Sequence, residues 1–91
     1  MRDRLANLVQ KAVKEAKLKP PEIIIEIPRE KRFGDFATNV AILLAKETSK
    51  SPSEVAEAIA QKLPRLDKEK ILAKAEVAPP GFINLFINDE Y

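Results

Sequence analysis

From Leu5 the apolar residues recur at Leu5, Leu8, Val9, Ala12, Val13 and Ala16 with charges between them, the three-and-four spacing of a helix with one buried stripe. This pattern predicts a first helix over residues 3–17. Pro20 and Pro21 lack the N–H needed to continue it, and Glu22-Ile-Ile-Ile-Glu-Ile27 then forms a β-branched block closed by Pro28. A strand is predicted there, with Ile23, Ile25 and Ile27 inward and Glu22, Ile24 and Glu26 on the wet face. A basic loop, Arg29-Glu-Lys-Arg-Phe33, leads to Gly34-Asp35, read as the start of a second helix that is apolar from Val40. In this reading Gly34 permits the sharp turn and Asp35 is the N-cap, its carboxylate accepting from the N–H groups of Ala37 and Thr38.

The third helix begins with a capping box: Ser51 as cap, Pro52 at the first helical position, and Glu54 reaching back to the cap amide. Its stripe is Val55, Ala58, Ile59 and Leu63, and Pro64 is expected to end it. After a charged connector over 65–70, Ile71, Ala73, Ala75 and Val77 alternate as one strand face. Pro79-Pro80-Gly81 turns the chain, and residues 82–88 form the second arm of an antiparallel hairpin. The order α-β-α-α-β-β predicts an α+β fold, a small antiparallel sheet of three to four strands with about three helices packed on one face.

Composition narrows the chemistry. Ninety-one residues, 45% hydrophobic and 33% charged, suit a single globular domain too small to hold a deep cleft beside its core. The absence of cysteine excludes disulfides, thiolate catalysis and cysteine-ligated zinc, and fits a reducing cytoplasm, the expected location. The absence of histidine removes the usual general base near neutral pH, the imidazole triads and most transition-metal sites. No carboxylate pair stands at a persuasive spacing for hydrolysis, so a self-sufficient enzyme and a metal site are not expected. Net charge is only +2, but residues 1–50 hold 11 basic against 7 acidic side chains and residues 51–91 hold 5 against 7, so the first half is the better side for a polyanion. The longest apolar run, Val40 to Ala45, is far short of the roughly 20 residues that span a bilayer, and neither a membrane partner nor a secretory signal is expected.

The last strand carries the most specific chemistry. Alternation puts Ile83, Leu85 and Ile87 on one face and Phe82, Asn84, Phe86 and Asn88 on the other. Rings interleaved with amides can stack unpaired bases and hydrogen-bond their edges. The same stripe would also serve to pack against another part of the chain, with the amides closing turns, and the pattern alone leaves both open. Arg29, Lys31 and Arg32, beside Phe33, are candidates for phosphate contacts or for a merely solvated loop. Gly34-Asp35 is not read as a phosphate turn, because a carboxylate there repels an anion. Asn39, inside an apolar helix, is read either as a buried amide fixing the neighbouring loop, the preferred reading, or as a partner contact.

Taken together, Arg32-Phe-Gly-Asp-Phe-Ala-Thr-Asn39, the SPSEVAEAIAQKL helix and Val77-Ala-Pro-Pro-Gly-Phe-Ile-Asn-Leu85 resemble the N-terminal additional domain of arginyl-tRNA synthetase, over nearly the whole chain. The resemblance implies a small non-catalytic α+β module that packs beside a class I catalytic core and holds the outer corner of tRNA(Arg) at its D-loop. It maps an aromatic and an amide contact to a D-loop base onto Phe82 and Asn84. It also implies that the remainder of the synthetase is the partner and that ATP and arginine bind the catalytic core. That core's two-histidine ATP motif has no counterpart in a chain without histidine, so no cofactor is expected on this segment. The rival expectation is a protein-interaction module docking through the aromatic sheet face.

Overall fold

In the computed structural model, which covers residues 1–91, the first amphipathic stripe becomes α1 (Arg2–Glu15), and its Leu5, Leu8, Val9, Ala12 and Val13 are all buried. The helix ends with Lys17 at φ 64°, Lys17 N–H on the Lys14 carbonyl at 2.9 Å and Leu18 N–H on the Val13 carbonyl at 3.1 Å, which satisfies carbonyls the helix itself leaves free. A 3-10 turn (Lys31–Phe33), β1 (Phe36–Thr38), α2 (Val40–Ala45), α3 (Pro52–Ala60), the single turn α4 (Leu63–Leu66), β2 (Leu72–Ala78) and β3 (Phe82–Ile87) follow. The three strands form an antiparallel sheet in the order β1-β3-β2, so the last strand is central. The helices cover one face of it. Ile83 and Leu85 point into that layer with no exposed surface and pack in one cluster with Val9, Val13, Val40, Val55 and Ile59. The fold is therefore the α+β arrangement expected, with three strands.

Five local expectations are corrected. The isoleucine block is extended but is not a strand of the sheet: only Glu26 pairs, exchanging two 2.8 Å bonds with Ala37, while Ile25 is buried and Ile27 is 62% exposed. The neighbouring strand β1 is only three residues long and offers the block little edge to pair with. Asp35 is not a helix cap, because residues 36–38 form β1 and α2 starts at Val40 after Asn39. Its carboxylate accepts instead from Ile87 N–H at 2.9 Å, and its own N–H donates to the Leu85 carbonyl at 2.9 Å, so it extends the β1–β3 pairing. Gly34 is needed for that approach rather than for a helix start: its φ is 98°, and a Cβ would lie 2.8 Å from the Leu85 carbonyl oxygen. Pro64 opens α4 instead of closing α3, since a proline in the first turn sacrifices no helical hydrogen bond. Finally, a register shift between Leu72 and Lys74 turns Ala73 outward and packs Leu72 against the core in its place.

Candidate nucleotide-binding face

Because β3 is the central strand, its alternation fixes two faces at once. Ile83 and Leu85 occupy the helix side, and Phe82, Asn84 and Phe86 share the side that no helix covers. Strand pairing sets their neighbours: Asn84 lies opposite Ala37 on β1 and Glu76 on β2, and Ala37 is paired in turn with Glu26. One row across the open face therefore reads Glu26, Ala37, Asn84, Glu76. Ala37 contributes only a methyl group, and over it lies a concavity of about 320 Å³. Pro28 and Phe33 border it from the segment outside β1, and Ala78, Pro79 and Phe82 from the hairpin.

Asn84 is 6% exposed and its carboxamide makes no hydrogen bond within the chain, yet none of its polar atoms is sealed from solvent. A side-chain amide with unused donors and acceptors facing a concavity is equipped to read a ligand edge. Phe82 is half-buried beside it. Phe86 differs from Phe82: Lys74 Nζ stands 4.6 Å from its ring centroid, and Lys74 also meets Glu76 at 3.3 Å, so that ring already has a cation over it. Asn88 accepts from Glu90 N–H at 3.1 Å and closes the turn after β3.

The hairpin tip that carries Phe82 is braced by α3. Ser51 Oγ accepts from Glu54 N–H at 3.2 Å and Glu54 Oε1 accepts from Ser51 N–H at 3.0 Å, a complete capping box. The Ser51 N–H first, and the Ser51 hydroxyl beside it, hold the Glu54 carboxyl below its ordinary value. Within the same first turn, Ser53 Oγ donates to the Pro80 carbonyl at 3.1 Å, and Gly81 packs so close to Pro52 that a Cβ would fall 2.6 Å from the proline Cβ.

The basic loop borders the concavity through Phe33, which is 40% exposed. The Arg32 guanidinium lies 4.8 Å from the Phe33 ring centroid and pairs with Glu30 at 3.1 Å, while Lys31 meets Asp35 at 3.4 Å. Arg29 is exposed and makes no ion pair. Such solvent-exposed pairs are weak and leave the cations free to exchange a carboxylate for a phosphate. Asp35 is held below its ordinary value mainly by the Ile87 amide, against the opposing effect of burial, and with help from Lys31. No three acidic side chains converge as a metal cage would require.

The alternation of β3 predicts Phe82 and Asn84 on one face, and the structure puts them in one concavity with Phe33. The sequence pattern does not single out Glu26, Ala37, Pro28 or Pro79. Their approach depends on the isoleucine block lying beside β1, which no periodicity encodes.

Residues 3–87 match the family model described as the arginyl tRNA synthetase N terminal domain. The chain belongs to this arginyl-tRNA synthetase N-terminal domain family. It is 41% identical over 96 residues to the arginine–tRNA ligase of Geobacillus thermodenitrificans and 43% identical over 95 residues to arginine–tRNA ligase 1 of Halalkalibacterium halodurans, in each case covering 100% of this chain and 17% of the relative. It thus spans about a sixth of the length of the arginine–tRNA ligases it matches. In fold, the domain is similar to part of the crystal structure of arginyl-tRNA synthetase from Plasmodium falciparum, with a TM-score of 0.82 at 18% identity over 99% of this chain and 16% of that one. It is also similar to part of the Thermus thermophilus enzyme, with a TM-score of 0.80 at 24% identity over 99% of this chain and 14% of that one. No helix of this domain is long and apolar enough to cross a membrane.

Proposed function

We propose that this domain is the tRNA-positioning module of an arginine–tRNA ligase, taking an unpaired D-loop base of tRNA(Arg) into the concavity on its open sheet face. Phe82 stacks on the base, Asn84 reads its edge, and Arg29, Lys31 and Arg32 meet the flanking phosphates. ATP and arginine bind the catalytic core of the same enzyme, and this module contributes no group to the chemistry. The observation that carries the reading is the unbonded Asn84 carboxamide facing a mostly apolar concavity beside an aromatic ring and a cationic loop. An aromatic wall accepts any base, an amide discriminates between edges, and cations anchor the backbone without reading sequence.

The test is titration of the 91-residue chain into labelled tRNA(Arg) transcript, for the parent and for Phe82→Ala and Asn84→Ala. Loss of one stacked base corresponds to about 1–3 kcal/mol, so Phe82→Ala is expected to weaken binding by roughly 5- to 150-fold. In a full-length ligase carrying this domain, the same changes are expected to raise KM for tRNA and leave KM for ATP and arginine nearly unchanged. Unaltered affinity in both variants would remove the two residues from the interface.

A further inference from the structure

The slot contains few polar groups. Of the eight residues around it only Asn84 and Glu26 have polar side chains, the other six being proline, alanine or phenylalanine. These two stand in the same lateral row with Ala37 between them, so a flat ring lying over the Ala37 methyl has a carboxamide at one edge and a carboxylate at the other. The two glutamates of the row are not equivalent. Glu76 is paired with Lys74 at 3.3 Å, whereas Glu26 is exposed and meets neither a cation nor a side-chain donor.

From this we infer that Glu26 is a specificity-determining residue of the slot, selecting a base that presents an exocyclic amino group and rejecting one that presents an oxo group in the same place. The inference rests on the reading of the concavity as a base site. A carboxylate is acceptor-only, so it gains a bond from an amino donor and is opposed by a carbonyl oxygen. Asn84 reads the opposite edge of the ring, and because its amide can turn to offer a donor or an acceptor, the fixed polarity of Glu26 adds to the discrimination. The same negative charge keeps phosphate out of the slot and leaves it to the rim, where Arg29 has no partner within the chain.

Adenosine and inosine monophosphate make the direct probe: they carry the same sugar and phosphate and differ along one purine edge, where the amino group and the N1 acceptor of the first are an oxo group and an N1–H in the second. Each is titrated into the isotope-labelled 91-residue chain and followed by NMR at the Asn84 side-chain amide and at the backbone of residues 82–84. The parent is expected to bind the amino purine roughly tenfold more tightly, the scale of one well-placed side-chain contact to a base edge. Glu26→Gln, an exposed and nearly isosteric change whose spectrum reports its folding, is expected to bring the ratio close to one, since a carboxamide can also donate. Equal affinities in the parent with both nucleotides perturbing Asn84, or a preference that survives in Glu26→Gln, would overturn the role of Glu26 and leave the base site intact. Failure of either nucleotide to perturb residues 82–84 would overturn the base site together with it.

Discussion

At the scale of single residues, two side chains show how a local signal acquires its meaning from a distant partner. Gly34 and Asp35 look like the start of a helix, and they instead attach the beginning of β1 to the end of β3 through Leu85 and Ile87. Gly34→Ala is therefore expected to destabilise the domain by about 1–3 kcal/mol from the positive φ alone, with the added Cβ pressing on the Leu85 carbonyl, measured as a lower urea midpoint. Asp35 gives a pH signature of defined sign. Its carboxyl is lowered in the folded state, so the stability it contributes is present above the ordinary carboxylate range and is lost as pH falls below about 4. The stability difference between the parent and Asp35→Asn is expected to shrink on acidification from pH 6 to pH 3. A difference that stays constant over this range would show that the Ile87 bond does not depend on the charge.

At the scale of elements, the sheet is held in place by a few bonds outside its ladders. Asp67, buried after α4, accepts from the N–H groups of Ile71 at 3.0 Å and Leu72 at 2.8 Å, and so sets where β2 begins. Asp67→Ala leaves both amides without their charged partner, at an expected cost of about 2–4 kcal/mol seen in equilibrium unfolding. Elements whose evidence is periodic were legible in the sequence: α1, the capped α3 and the alternation of β3 follow from patterns that repeat over several residues. The isoleucine block departs from the predicted strand because β-branched residues establish an extended chain but not a ladder partner, and Glu26 alone finds one. The burial of Ala56 rather than Ala58 in α3 and the shift at Leu72 were hidden for a similar reason. Each exchanges one apolar residue for another close by, Ala56 for Ala58 on the helix and Leu72 for Ala73 on the strand, so the apolar pattern alone does not choose between them.

At the scale of the whole molecule, the helices bury one face of the sheet and leave the other open, and this division follows from the central place of β3. A net charge of +2 concentrates little field, so in the proposed complex the phosphates are left to the exposed cations near the slot. Binding of tRNA is expected to weaken as salt rises, with a shallow slope set by the few phosphates that Arg29, Lys31 and Arg32 can reach. An apolar docking face for a protein partner would instead be nearly indifferent to salt. The most direct test of the open face as a base site is the affinity of the parent and of Asn84→Ala for tRNA(Arg) transcript across that salt range. A salt-dependent complex that loses several-fold affinity when the carboxamide is removed is the predicted result. Equal affinities for the two proteins at every salt concentration would contradict it.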